Sequence, residues 1–287
     1  MKALKFLMMS FVLVLLASCS TSTKPGTADG SRNVAFLVTD APMWYNFKAV
    51  NVDIQGIDYQ VVGDSSNWHA LTPFNQGVYN LKALQNGFFK QLGQLQLPNI
   101  QLIKKIRLTL GSNNSVVLAD STSKPLSIWG NQNTVTLNIN QRNFSTGGDS
   151  IMVDFNLARS IVYMHNGYVL KPVLRAFITN QSAALDGFLT PDTLNCKVAY
   201  KVYIIYNGDT ITTATDTRNH NHFRLMGLPA DSSYTVQIVP INGGSQPYQV
   251  NITINKNGYI KIDNLAQNWY QNMLNWQKQW WNEFFKH

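Results

Sequence analysis

Short apolar runs separated by turn-forming residues follow one another along almost the whole chain from Val34 onward, and this pattern constrains the fold more than any other feature. Many of these runs alternate apolar and polar residues with a period of two, which is typical of strands that bury one face. The predicted strands of the first half cover residues 34–38, 49–54, 57–62, 103–110, 115–118, 135–140, 151–156, 161–165 and 168–179. The sequence therefore predicts a mainly β protein with two antiparallel β-sandwich domains in tandem.

Two local signals refine the first domain. Asn166-Gly167 lies between two predicted strands, and this dipeptide tolerates the positive φ angles of a type I′ turn, so it predicts a hairpin. Leu81, Leu84, Phe88 and Leu92 follow helical spacing, which predicts a short helix over residues 81–92.

A polar joint at residues 180–182 separates the first domain, residues 34–180, from a second set of short runs over residues 185–262. These runs cover residues 187–189, 196–206, 209–214, 222–225, 234–240, 248–254 and 259–262. His220 and His222 would share one face of a strand, as a two-ligand metal site needs. No Cys or carboxylate accompanies them at ligand spacing, so a hairpin tip is the competing interpretation and no metal is predicted.

The first 18 residues have the features of an export signal. Lys2 and Lys5 precede an apolar run over residues 6–16 that is too short to span a bilayer. Leu16-Ala17-Ser18-Cys19 then reads as a lipobox, which predicts cleavage before Cys19 and lipidation of its thiol. A plain secretory signal with an incidental cysteine is the alternative. Residues 19–33 are rich in Ser, Thr, Gly and Pro and predict a flexible tether after the lipid.

The charge and amino-acid composition argue against some classes of function. Loss of Lys2 and Lys5 with the signal lowers the formal net charge from +8 to +6, and the remaining basic residues are spread along the chain. An exported protein with scattered basic residues is not expected to bind nucleic acid. Fourteen Asp and a single Glu, Glu283, make a glycosidase with two carboxylates a weaker candidate. With Cys19 lipidated, Cys196 has no disulfide partner and is predicted to be a buried thiol.

The last segment, residues 263–287, changes to an aromatic helical pattern. Its apolar residues recur at steps of three and four, and they include Trp269, Trp276, Trp280 and Trp281. This pattern predicts an amphipathic helix that packs on the domains, docks a partner or lies in a membrane interface. Packing or a partner is favoured over the membrane because the polar side is mostly Gln and Asn.

Several short motifs in the first domain occur in a recognisable order: Thr39-Asp40-Ala41-Pro42, Tyr79-Asn80-Leu81, Leu97-Pro98, Ile106-Arg107-Leu108, Asp154-Phe155-Asn156, Arg159-Ser160-Ile161-Val162 and Leu170-Lys171-Pro172-Val173-Leu174-Arg175-Ala176. Over residues 34–179 the chain thus resembles the bacterial lipoprotein family called domain of unknown function 4382. The resemblance implies a β-sandwich in the cell envelope and supplies no known activity. Phe223-Arg224-Leu225-Met226-Gly227-Leu228-Pro229 resembles the turn of carboxypeptidase-regulatory or prealbumin-like sandwiches, which implies a non-catalytic second domain.

Three charged residues of the first domain are candidate site residues. Asp40 precedes Ala-Pro, where its carboxylate can accept backbone N–H bonds and close a turn. Asp154 and Arg175 can pair across neighbouring strands, and buried charges usually come paired. A structural pair is the favoured interpretation. The alternative is ligand binding by Asp40, Asp154 and Arg175, or a metal role for Asp40 and Asp154.

Together these features predict a lipid-anchored protein of the cell envelope that faces the periplasm from the outer membrane. It is predicted to bind an envelope protein or a glycan without catalysis or cofactor. Phosphate-binding, nucleophile-elbow and zinc-protease motifs are missing from the sequence. A rival hypothesis is an envelope hydrolase that uses Asp40, Asp58 or Asp154 as acid or base. A third is a purely structural spacer.

Overall fold

The computed structural model of the chain describes residues 30–41, 43, 46–64, 66–139, 148–189, 198–217, 219–230, 232–241, 248–254 and 259–262. The architecture is mainly β, as predicted, and one short α-helix occurs within these residues. Two separate clusters of buried apolar side chains divide the strands into two packing units, one on each side of residue 180.

The first unit is a sandwich of two sheets. Its strands are β1 Ser31–Ala41, β2 Ala49–Val61, β3 His69–Ala70, β4 Gly77–Asn80, β5 Lys90–Pro98, β6 Ile103–Leu110, β7 Ser115–Val117, β8 Ser123–Ile128, β9 Thr134–Asn138, β10 Asp149–Asn156, β11 Ile161–Met164, β12 Gly167–Leu170 and β13 Leu174–Ile178. One sheet has the order β13-β10-β1-β5, and the other has the order β11-β12-β8-β7-β2-β6-β9 with β3 and β4 attached to β2. The core between them includes Phe36, Ile106, Leu108 and Phe155.

The helices of the first unit are all short. They are the α-helix α1 Leu157–Ser160 and the 3-10 helices Leu81–Leu84, Trp129–Asn131 and Thr179–Gln181. The Asn156 side chain accepts a hydrogen bond from the Arg159 backbone N–H and so caps the start of α1.

The second unit contains two smaller sheets. Its strands are β14 Ser182–Phe188, β15 Tyr200–Tyr206, β16 Asp209–Ala214, β17 His222–Pro229, β18 Ser232–Pro240, β19 Tyr248–Ile254 and β20 Tyr259–Ile262. The sheet orders are β17-β14-β20 and β16-β15-β18-β19. Leu185, Val202, Phe223 and Val236 belong to the core of this unit.

The predicted helix over residues 81–92 ends early. Only Leu81–Leu84 forms a 3-10 helix, and the chain then enters β5, which pairs antiparallel with β1. Asn86 and Gly87 have φ angles of 55° and 94°, and this left-handed backbone stops a right-handed helix. Leu92 is buried as a strand residue, so its helical spacing from Leu84 was coincidental.

Strand boundaries also differ from the prediction: β1 begins at Ser31, inside the predicted tether, and at two further places the division into strands is different. The two strands predicted over residues 49–54 and 57–62 form one long strand, β2, which ends at Val61 and whose pairing with β6 shifts between Ile54 and Gly56. The predicted strand over residues 168–179 is two strands, β12 and β13, separated by residues 171–173. Pro172 in this gap cannot donate a hydrogen bond to a neighbouring strand.

The sequence predicted antiparallel sandwiches, and the sheet β16-β15-β18-β19 is wholly antiparallel, but the other three sheets among the described residues are mixed. Parallel pairing joins β1 to β10, β8 to β12 and β14 to β20. Each of these pairs connects segments that are distant along the chain, so no turn signal in the sequence could indicate it.

A buried ion pair fixes the beginning of β1. Arg32 Nε lies 2.9 Å from Asp149 Oδ2, and both side chains are 1% exposed. The Nη1 atom of Arg32 also donates to the carbonyl oxygens of Pro98 and Asn99, and its Nη2 atom donates to that of Gln101. Since buried charges are costly unless they are fully hydrogen-bonded, these bonds explain how the pair is tolerated.

The predicted hairpin between β11 and β12 is present, but its turn lies one residue earlier than expected. Met164 pairs with Gly167, so His165 and Asn166 are the two central residues. Their φ angles are 49° and 61°, and a type I′ turn requires positive φ at both positions.

Candidate functional site

Asp154 and Arg175 face each other on neighbouring strands, and the predicted pair is confirmed. The antiparallel register of β10 and β13 places them opposite one another, with 2.6 Å between Arg175 Nη2 and Asp154 Oδ2. Burial raises the pKa of the Asp154 carboxyl, while the charge and hydrogen bond of Arg175 oppose this rise.

Arg175 also contacts the second unit. Its Nη2 and Nη1 atoms donate to the carbonyl oxygens of Met226 and Gly227, at 2.6 Å and 3.3 Å. Its guanidinium carbon lies 5.0 Å from the centre of the Phe177 ring, which adds a cation–π contact. A Cβ atom on Gly227 would lie 2.6 Å from Arg175 Nη1 and would overlap Phe177. We call Arg175, Phe177, Arg224, Met226 and Gly227 the inter-unit joint.

The joint lies on the outer face of the four-stranded sheet of the first unit. Leu37 and Met152 are buried, yet they belong to neither core, and β16 of the second unit contacts β1. Arg224 lies against Gly87, where an added Cβ would be 2.8 Å from Arg224 Cδ. The two units therefore share a packed interface that the sequence analysis did not predict.

Asp40 lies at the end of β1 and is buried. Its two carboxylate oxygens accept hydrogen bonds from the Gln85 side-chain amide, at 2.9 Å, and from the Leu157 backbone N–H, at 3.2 Å. The backbone donor thus belongs to α1 rather than to the local turn predicted from Ala-Pro. Burial raises the pKa of Asp40 well above its ordinary value, the hydrogen bonds of Gln85 and Leu157 oppose the rise, and the Asp154 charge adds to it. Ligand binding by Asp40, Asp154 and Arg175 stays a prediction.

Asp58, the third acid of the hydrolase hypothesis, lies on β2. Arg107 on β6 donates to Asp58 Oδ2 from Nε at 3.0 Å and from Nη2 at 2.8 Å. The Arg107 guanidinium also stacks on the Trp68 ring, 4.6 Å from its centre. The carboxylate is therefore neutralised by a neighbouring cation on the outer face of the sheet.

His220 and His222 do not share a strand face. His220 and Asn221 have positive φ angles and form a turn, and His222 begins β17, where its Nε2 lies 2.9 Å from Asp186 Oδ1. The hairpin-tip interpretation therefore fits the structure. No group of three or more His, Cys, Asp or Glu side chains that could hold a metal ion occurs in the described part of the chain.

A pocket with aromatic walls opens where β11 and β12 approach the segment before β2. Asn46, Phe47, Leu118, Tyr163 and Tyr168 line it, and its volume is about 410 Å³. We call these five residues the aromatic pocket. The sequence analysis did not identify it because Phe47 is more than 100 positions from Tyr163 and Tyr168 in the chain. The successive pairing of β2, β7, β8 and β12 brings the rings together.

Other predicted sites fall outside the described residues. They are Cys19, Cys196 and the tail residues Trp269, Trp276, Trp280 and Trp281. Among the residues that are described, no helix is both long and apolar enough to cross a membrane.

Comparison with proteins of curated function finds no match. The chain shows likeness to solved structures at low identity. For the Bacillus anthracis TIE protein the identity is 11%, the coverage is 81% of this chain and 33% of that one, and the TM-score is 0.24. The chain thus spans about a third of the length of that protein.

Two pilins give similar values. The shaft pilin SpaA from Lactobacillus rhamnosus GG is 10% identical, with 82% of this chain and 96% of that chain covered and a TM-score of 0.23. The major pilin subunit BcpA*(D312A) of Bacillus cereus is 9% identical, with 82% and 69% covered and a TM-score of 0.20. Residues 32–172 match the family model described as "Domain of unknown function (DUF4382)", in agreement with the resemblance seen over residues 34–179.

Proposed function

We propose that this chain is a lipid-anchored protein of the cell envelope that binds a glycan or another envelope protein and catalyses no reaction. One observation carries the non-catalytic part. Each carboxylate of the hydrolase hypothesis has a structural role: Asp58 is paired with Arg107, Asp154 with Arg175, and Asp40 is buried and hydrogen-bonded. A general acid or base must reach a substrate proton directly or through one water, and these positions do not favour that.

Other parts of the proposal depend on sequence. The lipobox supports an anchor at Cys19. The serine after it supports the outer membrane, and the lack of acidic residues over positions 20–24 supports the periplasmic side. The proposed domains are residues 34–180 and a prealbumin-like sandwich over residues 185–262, which the two separate cores support. In this proposal the second domain acts as a platform that holds the first at a fixed orientation.

The anchor is tested with cells that produce the full chain and incorporate an alkyne fatty acid. We expect the label on the chain in the membrane fraction, and we expect its loss in the Cys19→Ser variant, because only the thiol of Cys19 can carry diacylglycerol. An unlabelled chain in the cytoplasmic fraction with its leader still attached would overturn the proposal.

The same membrane preparation tests the absence of catalysis. Envelope polysaccharide and peptidoglycan are incubated with it, and retained material and released fragments are both measured. We expect retention without release. Fragment release that disappears in Asp58→Asn, while the variant remains folded, would establish the hydrolase instead. Absence of any retained partner would favour the structural spacer.

A further inference from the structure

The aromatic pocket has a geometry fixed by the fold. Tyr168 makes edge-to-face contacts with two rings, that of Phe47 at 5.3 Å and 85° and that of Tyr163 at 5.1 Å and 61°. Phe47 is buried, and Tyr168 packs against the core of the first unit. Edge-to-face pairs of this kind are favourable, so the rings hold one another in place before a ligand arrives.

Tyr163 is the exposed member of the aromatic pocket. Tyr163 is 63% exposed and lies on β11, the strand at one edge of the nine-stranded sheet. The type I′ hairpin sets the register of Tyr163 opposite Tyr168, so its position does not depend on a long loop. A large aromatic ring is thus presented to solvent on a rigid element.

The side chains that line the aromatic pocket carry no charge. The lining consists of three aromatic rings and Leu118, with the Asn46 amide and two phenol hydroxyls as polar groups. A charged ligand would find no counter-charge among these side chains. A ligand that fits has an apolar face for the rings and neutral hydroxyl groups for the amide and phenols.

We infer that the aromatic pocket binds a sugar ring of a neutral polysaccharide. A pyranose has C–H groups on its faces and hydroxyl groups around its rim, which matches aromatic walls with a few neutral polar groups. The volume of about 410 Å³ lies toward the lower end of the usual range for small-ligand sites and suits rings of a chain rather than a folded partner. This inference rests on the proposed function and names its ligand class and site.

The test uses the purified chain without its signal, hexasaccharides of neutral glucose, mannose or galactose, and a hexauronate as the charged probe. We expect at least one neutral hexasaccharide to bind, measured by titration calorimetry, and the hexauronate not to bind. Tyr163→Ala should weaken binding about tenfold, since the stacking surface is lost. Tyr163→Phe should bind within about threefold of the parent, since the ring is kept.

Phe88→Ala is the matched control. Phe88 is 70% exposed, comparable to Tyr163, and it does not line the aromatic pocket, so its removal should leave binding unchanged. Folding of every variant is checked by circular dichroism, and Tyr163→Ala is expected to fold because its side chain is mostly in solvent.

Three results would overturn the inference. These are binding that Tyr163→Ala leaves unchanged, no binding of any neutral hexasaccharide, and binding of a proline-rich peptide at this site in place of sugars. If sugars fail while an envelope protein is still retained without turnover, the sugar site is wrong and the proposed function stands. If turnover is found, the proposed function fails whether or not a sugar binds.

Discussion

Burial gives Asp40 an acid–base behaviour unlike that of a surface aspartate. Because burial raises its pKa well above the ordinary value, the folded chain binds a proton there more readily than the unfolded chain does. The stabilising contribution of this proton is fully present below the unfolded pKa of about 4, and it is lost as the pH rises through the folded pKa. At pH values above both pKa values, the ionised carboxylate is therefore a cost to folding.

We expect Asp40→Asn to raise the free energy of unfolding at pH 7 by about 1 kcal/mol or more, because an amide can accept from the Leu157 N–H without a buried charge. Urea unfolding at several pH values should show this advantage shrinking toward pH 4. Asp120→Asn is the control. A hydrogen bond from the Thr122 backbone lowers the pKa of Asp120, so replacing this carboxylate by an amide should not raise the free energy of unfolding at neutral pH. An advantage of Asp40→Asn that grows on acidification would contradict the argument.

Some of the buried ion pairs could be predicted from the sequence and others could not. The Asp154–Arg175 pair could be predicted because both residues lie in evident strands and opposite charges tend to pair in a sheet. Arg175 also donates hydrogen bonds to the carbonyl oxygens of Met226 and Gly227. These bonds could not be predicted because every residue has a backbone carbonyl, whatever its side chain. The Arg32–Asp149 pair was missed for a related reason, since its partners are brought together by the parallel pairing of β1 and β10.

The hairpin between β11 and β12 was predicted correctly, but its two central residues lie one position earlier than predicted. Asn166-Gly167 indicated the hairpin, but the structure places positive φ at His165 and Asn166, and Gly167 already pairs in β12. The preference of Asn for left-handed backbone still explains the turn. Asn207-Gly208, between β15 and β16, has positive φ at both positions, as the motif predicts.

We expect Asn166→Ala to lower the free energy of unfolding by about 1 kcal/mol, because alanine tolerates left-handed backbone less well than asparagine. Gly167→Ala should change it by less than about 0.5 kcal/mol or stabilise slightly, since Gly167 has no positive φ and an added Cβ meets no atom closer than 3.9 Å. Thermal and urea unfolding of the two variants measure this. The reverse order would show that Asn166-Gly167 are the central residues after all.

The failed helix over residues 81–92 illustrates a limit at the same scale. Four apolar residues at helical spacing were outweighed by the backbone of Asn86 and Gly87 and by the pairing that β1 offers to β5. Strand pairing is a non-local interaction, so a pattern read within one short window cannot weigh it. The strand β8 was missed similarly, because its burial is confined mainly to Leu126.

For the whole molecule, the decisive feature is the interface between the two units. The sequence indicated two sets of strands with a polar joint but gave no sign that the second would cover the outer face of the four-stranded sheet. Leu37 and Met152 have the pattern of ordinary apolar strand residues, and only the structure shows that they are buried outside both cores. The aromatic pocket depends equally on tertiary pairing.

We expect Gly227→Ala to loosen the inter-unit joint. An alanine at this position is strained because the backbone there has a positive φ angle, and its Cβ atom also overlaps Arg175 and Phe177. Gly208→Ala is the matched control, since Gly208 also has positive φ but an added Cβ meets nothing within 4 Å. The free energy of unfolding should fall by about 1–2 kcal/mol in Gly208→Ala and by about 1–3 kcal/mol more in Gly227→Ala.

Small-angle X-ray scattering completes this comparison. Only Gly227→Ala should increase the radius of gyration, because only this change separates the units. Equal losses of stability and unchanged scattering in both variants would show that the joint does not hold the units together.

The position of β1 has a mechanical consequence. This strand follows residue 30, lies between β10 and β5, and is fastened at its start by Arg32 and Asp149. Hydrogen bonds in a sheet run across the strands, so a pull at residue 30 along β1 loads both ladders in shear, all at once, instead of opening them one bond at a time. The proposed tether would therefore transmit force to the sandwich through a strand that is paired on both sides.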